Sequence, residues 1–189
     1  MDEQSSISAE LRLDNADAVR RRTPEQVVAD FLDALGRHDV DGIGRVCADN
    51  VVEVLSGTAP LEGIDNELAF ARDLLAAFPD LEIEVTRLMA VDLVVAAEWT
   101  RRGTFSGADF QGLPASGARF DSPAAGFFEI ENGLIKRITV YADMNKFARD
   151  LGVVPPEGST SERLALSMFR ARVRMKRLGR ALTRRDGWN

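Results

Sequence analysis

Between Asp80 and Asp143 the chain carries four stretches of strand character with no helical pattern among them. In "PDLEIEVTRLMA" the residues Leu81, Ile83 and Val85 alternate onto one face. "VDLVVAAEWTRRGTF" turns back from it through "AVD", and "GADFQGLPASGA" has the Gly, Pro and Ser of a long loop. "RFDSPAAGFFEI" and "LIKRITVYAD" flank the turn "ENG" and read as a hairpin. Successive strands without a crossover helix pair antiparallel, and this restricts the chain more than any other feature. The helical patterns lie before them. "TPEQVVADFLDALGRHD" opens with Thr23, Pro24 and Gln26 in capping-box order and carries a stripe of Val27, Val28, Phe31, Leu32 and Leu35. A short helix near 41–48, a strand "VVEVL" and a helix in "IDNELAFARDLLAAF", with its stripe at Leu68, Ala71, Leu74, Leu75 and Phe78, follow. The order predicts an α+β fold: a curved, mostly antiparallel sheet forming a cone, N-terminal helices over a pocket, and a C-terminal basic helix.

The predicted organisation is a mobile arm at 1–22, one domain at 23–154, a linker at 155–160, and a basic amphipathic helical extension at 161–189. Charge separates these parts. Residues 161–189 hold eight Arg and one Lys against Glu162 and Asp186, which makes +7. The whole chain carries −6, so the other 160 residues carry −13. An acidic body argues against nucleic acid as a ligand. A single cysteine, Cys47, excludes an intrachain disulfide, and a single histidine, His38, argues against a metal site of the His/Cys kind. The acidic N-terminus lacks the apolar core of a secretory signal, so a cytoplasmic location is expected. "GTFSGADFQG" matches neither a dinucleotide-binding nor a phosphate-loop pattern. No cofactor is expected.

Asp143 stands where the last strand gives way to a short helix, "MNKFARDLG". Thr139, Tyr141 and Asp143 share one strand face, and Ile138 and Val140 share the other. If the first of these faces lines the pocket, desolvation raises the Asp143 pKa and fits it to proton transfer with a carbon acid. An aspartate before a helix is equally a preferred N-cap, so both roles stay open. Trp99 and Arg101 share a face with Val95 and Ala97, where they could stack on a flat substrate and hold an enolate or carboxylate oxygen. A core tryptophan and a rim arginine are the plainer alternative. Glu53 interrupts an apolar run on the face of Val51 and Leu55, and a carboxylate there needs a partner or a purpose. Tyr141 is a candidate donor to a substrate oxygen. Phe31, Leu35 and Phe128 are further candidate substrate contacts.

Four segments in this order, "TPEQVVADFLDALGRHDVDGIGRVCADNVV", "FPDLEIEV", "GTFSGADFQGLPASGARF" and "ENGLIKRITVYADMNKFARDLG", resemble the SnoaL-like polyketide cyclases. That family shares the nuclear-transport-factor-2-like fold with ketosteroid isomerase and limonene epoxide hydrolase. The resemblance covers roughly 23–154 and implies that Asp143 is the catalytic acid/base. The epoxide hydrolases' Arg-x-Asp pair falls on Trp99 and Arg101, and their water-holding Tyr and Asn on Glu53 and Leu55. The cyclases' pocket histidine falls near Gly126, and this chain has none there. The expected function is cofactor-free acid/base catalysis in polyketide metabolism, on an enolisable polycyclic substrate, with Asp143, Glu53 and Arg101 as catalytic groups. Two alternatives are epoxide opening, isomerisation or hydroxylation in the same pocket, and a non-catalytic binding domain. A homodimer through the outer sheet face is implied by the resemblance. The basic extension places Leu164, Met168, Ala171, Met175, Leu178 and Leu182 on one face. Packing on the acidic body, its own or a partner's, is the first reading of that face, and contact with an anionic membrane is the second.

Overall fold

A computed structural model describes residues 22–183, with side chains described as far as 175. The predicted arm therefore lies outside the described residues except for Arg22, which pairs with Asp30 at 2.9 Å. The elements are α1 (Pro24–Gly36), α2 (Val40–Val46), β1 (Cys47–Leu55), β2 (Leu61–Glu62), α3 (Ile64–Ala77), β3 (Glu82–Val91), β4 (Val94–Thr104), β5 (Arg119–Glu131), β6 (Leu134–Ala142), α4 (Met144–Asp150) and α5 (Thr160–Thr183). The six strands form one curved sheet in the order β2-β1-β6-β5-β4-β3. Only β1 and β6 run parallel, and the chain between them supplies the rest of the sheet. The α+β expectation holds.

Local sequence explains most of the frame. Thr23 Oγ1 accepts from the Gln26 amide while Gln26 Oε1 accepts from the Thr23 amide, so both halves of the capping box form. Asn132 and Gly133 take φ of 53° and 78°, the left-handed pair that a tight hairpin between β5 and β6 requires. β5 alternates strictly between buried and exposed residues over its whole length. Phe120, Ser122, Ala124, Gly126, Phe128 and Ile130 face inward. This one-sided burial wraps the sheet around the helices and closes a core on its concave face.

Three details depart from the expected strands. The first strand begins at Cys47 rather than Val51, and β2 pairs with it inside the expected loop 56–63. A register shift between Val85 and Arg87 breaks the alternation of β3, so Val85 is exposed while Leu88 and Ala90 turn toward the core. Such a bulge bends an edge strand, which helps the sheet curl. His38 is an exposed turn residue whose Nε2 bonds the Leu81 carbonyl at 3.0 Å and ties the turn after α1 to the start of β3.

Gly126 explains how the inner face accommodates its one indole. A Cβ placed there would lie 2.9 Å from the Thr139 carbonyl oxygen and 3.1 Å from the Trp99 ring. The Trp99 side chain thus occupies the volume that any side chain on residue 126 would need. Gly126→Ala is expected to displace the indole and cost about 1–3 kcal/mol. Urea denaturation checks this, and an unchanged midpoint would contradict it.

Candidate active site

A cavity of about 200 Å³ lies between the concave sheet face and the helices. Two apolar clusters form its walls. One contains Phe31, Leu32, Trp99 and Phe128, with the Phe31 and Phe128 rings edge to face at 5.8 Å. The other contains Phe78, Phe105 and Phe120, with Phe78 and Phe105 stacked at 5.1 Å. Gln111, Leu113, Met144 and Val153 line the cavity and are also solvent-exposed, so they mark its mouth.

Into this apolar space the fold brings four polar side chains. Inward positions on β1 are Val51, Glu53 and Leu55, as the alternation predicts, and Glu53 is buried. Inward positions on β4 are Val95, Ala97, Trp99 and Arg101. The fourth residue is Glu67 on α3, 3% exposed. It stands one turn before Ala71 and two before Leu75, on the stripe that α3 turns toward the sheet. That spacing was a usable signal, since a carboxylate inside an apolar stripe is as conspicuous as one inside an apolar strand face.

The Glu53 and Glu67 carboxyls stand close enough in the apolar wall to perturb each other's ionisation. Two buried carboxylates that close repel, which favours a proton on one of them. Burial raises the Glu53 carboxyl well above its usual range, and the Glu67 charge raises it further, while Arg101 opposes the shift. Burial also raises Glu67, and the bond from Glu53 opposes it. One proton shared by two carboxyls, with one negative charge left, satisfies both directions. Arg101 supplies the balancing positive charge. Burial lowers its pKa and Glu53 opposes that, and a guanidinium stays charged at neutral pH.

The Arg101 guanidinium lies over the Phe147 ring at 5.6 Å from its centroid. Its Nε and Nη2 have no hydrogen-bond partner, nor do Trp99 Nε1 and Glu67 Oε2. Buried donors and acceptors are almost always satisfied in a folded protein, so a cluster of unsatisfied ones in a cavity wall is chemistry awaiting an occupant. The arrangement can move a proton at the carboxyl pair and can receive an oxyanion at Arg101 and Trp99.

Two predicted site residues stand elsewhere. The Asp143 carboxylate accepts from the Lys146 amide at 2.8 Å and caps α4, and it is exposed rather than part of the cavity lining. Tyr141 is 54% exposed and meets Phe127 on the outer sheet face. The cause is the strand alternation: Ile138 and Val140 took the inward face of β6, so Thr139, Tyr141 and Asp143 were turned outward. Glu67, rather than Asp143, is the carboxylate that joins Glu53 in the cavity wall. Phe31, Leu35, Trp99, Arg101 and Phe128 line the cavity as expected. Among the described residues no cluster of His, Cys, Asp and Glu could hold a metal ion. Cys47 is buried, and desolvation raises its thiol far above the usual range.

A curved sheet with helices across its mouth and a polar floor in an apolar cavity defines a protein of the ketosteroid isomerase-like fold, the class to which the solved neighbours belong. The chain is a member of the SnoaL-like polyketide cyclase family, whose description matches residues 25–151. Among solved structures it is similar to AclR of Streptomyces galilaeus, a candidate hydroxylase, at 22% identity and a TM-score of 0.62, covering 70% of this chain and 97% of that one. IdmH of Streptomyces antibioticus, a candidate polyketide cyclase, shares 23% identity at a TM-score of 0.60, over 69% and 99% of the two chains. An LEH-like epoxide hydrolase of M. tuberculosis shares 21% identity at 0.57, over 68% and 88%. These likenesses show the fold. A comparison with curated protein sequences gives no match.

The carboxyl pair makes stability depend on pH. Groups whose folded pKa lies above the usual 4.5 bind more protons in the folded state, so folding is favoured below that value and weakened as pH rises through the folded pKa. The denaturant midpoint is expected to fall as pH rises above the ordinary carboxyl range, and Glu67→Gln to flatten that fall. A wild-type midpoint constant through that rise would contradict the shared proton.

Proposed function

We propose that this chain is an acid/base enzyme that enolises a small cyclic ketone and closes a carbon–carbon bond within it, as an intramolecular aldol cyclase. The observation that carries this reading is a pair of buried carboxyls beside unpartnered Arg101 and Trp99 donors in one apolar cavity. The substrate carbonyl oxygen sits against the Arg101 and Trp99 N–H groups. The deprotonated carboxylate of the Glu53–Glu67 pair takes the α-proton, and the enolate charge is held by the two donors. The enolate carbon attacks a second carbonyl of the same molecule, and the resulting alkoxide takes the proton back from the pair. Each proton returns and no electron changes hands, so the cycle closes with no other reagent.

The dry surroundings serve both halves of the scheme. Low dielectric strengthens the Arg101 contact with a developing oxyanion, and it holds one carboxyl neutral and ready to return its proton. Family membership supports a catalytic role of this type. The volume narrows the substrate. About 200 Å³ is less than the ~300–1,000 Å³ usual for drug-sized ligands. It favours one or two fused rings inside the cavity over an extended polycycle. Asp143 serves this reading as a helix cap that seats α4 against the cavity, with Met144 and Phe147 in the lining.

Hydrogen–deuterium exchange at the α-carbon of 2-tetralone, followed by proton NMR in D2O, isolates the enolisation step. The protein is expected to accelerate it, and Glu53→Gln or Glu67→Gln to reduce the acceleration by about 10²–10⁴-fold. Asp143→Ala is expected to keep the exchange and to lose about 1 kcal/mol of stability. Undiminished exchange in folded Glu53→Gln and Glu67→Gln proteins, with loss in Asp143→Ala, would overturn the assignment.

A further inference from the structure

The proposed chemistry makes no use of α5. The helix is rooted at its first turn, where Ser159 Oγ accepts from the Glu162 amide at 3.1 Å and Glu162 accepts from the Gly158 amide at 2.6 Å. Glu162 also pairs with Arg149 at 3.5 Å. Beyond that turn the large apolar side chains stand in solvent: Leu164 is 63% exposed, Met168 67%, Phe169 64% and Met175 66%. Single exposed apolar residues are ordinary. Here Leu164, Met168, Ala171 and Met175 share one helical face, and the sequence continues the spacing to Leu178 and Leu182. Between Arg163 and Arg185 there are nine basic residues and no acidic one.

The occupant of this face must accept apolar side chains and positive charge together. The helix's own body is not the occupant, because the face is exposed with the body present. Pairing two copies of the helix would bring like charges together along its length. The outer sheet face of a second copy answers part of its own negative charge, through Arg102 with Glu84 and Asp121 at 2.6 and 3.1 Å, Arg87 with Glu98 at 3.4 Å, and Arg137 with Glu129 at 4.0 Å. A nucleic-acid backbone would answer the arginines and leave the leucine and methionines in water.

We propose that α5 docks the protein on an anionic lipid surface, with Leu164, Met168 and Met175 entering the headgroup boundary and the arginines meeting the phosphates. Long basic side chains reach headgroups while their stems lie along apolar surface, and each adds attraction to a negative leaflet. Among the described residues no helix is long and apolar enough to cross a membrane, so α5 lies on the surface. Its root is close in sequence to the cavity mouth, since Val153 and Met144 line that mouth and α5 begins at Thr160. Docking would therefore hold the mouth near the lipid, where apolar ketones concentrate.

Vesicle co-sedimentation of the full chain tests this, with phosphatidylcholine vesicles carrying none or about 30% phosphatidylglycerol. The expected result is binding to the anionic vesicles only, weakened by salt. The triple variant Arg170→Glu, Arg172→Glu, Arg174→Glu should lower partitioning at least about a hundredfold. The double variant Leu164→Glu, Met168→Glu should abolish it with an unchanged circular dichroism spectrum. Equal binding to neutral vesicles, or no binding at low salt, would overturn the proposal. So would an unbound parent chain whose solution mass falls in the double variant, which would give the face to a second copy.

Discussion

A protein interior holds a charge only where something beside it answers that charge. Two glutamates and an arginine in one apolar cavity meet this condition in a single way. A proton kept on one carboxyl and shared with the other would leave one negative charge for the nearby guanidinium to balance. The rest of the fold serves that arrangement. β1 contributes Glu53, β4 contributes Arg101 and Trp99, and α3 contributes Glu67, so sheet curvature and helix placement together set the separation of the charges. The arrangement leaves the Arg101 and Trp99 donors and one Glu67 oxygen without a partner in the cavity wall.

Family membership and local geometry divide the work of interpretation. Membership gives the cone-shaped fold. It does not transfer a residue whose side chain has moved. The position expected to carry the catalytic aspartate is a helix cap on the outward side of β6. The cyclases' histidine falls near Gly126, where a Cβ would meet the Thr139 carbonyl oxygen and the Trp99 indole. The cavity has thus acquired its bulk and its acid from neighbouring elements. Trp99 comes from the adjacent strand and Glu67 from the helix across the cavity. The same fold can keep a polar floor in its cavity while changing which elements supply it.

The fold was legible in the sequence because its signals were local. Capping at Thr23, the Asn132–Gly133 turn and the alternation of β5 each depend on a few adjacent residues. Glu53, Trp99 and Arg101 were legible for the same reason, since strand alternation assigns a face once the apolar neighbours are known. Asp143 was misplaced because two faces of β6 were both plausible, and only packing against α1 and β5 decides that Ile138 and Val140 go inward. Glu67 was missed although it lies on an apolar stripe, because its meaning depends on Glu53, fourteen residues earlier and on another element. No local pattern links the two. A buried pair becomes visible only when the chain brings its halves together.

The account rests on the proton shared by Glu53 and Glu67, and carbon-13 NMR of the glutamate carboxyl carbons reports it directly. With Glu53→Gln and Glu67→Gln used to assign the signals, the two carbons should titrate together, and one should remain protonated at neutral pH. Independent titration of both at the ordinary value of 4.5 would contradict the account.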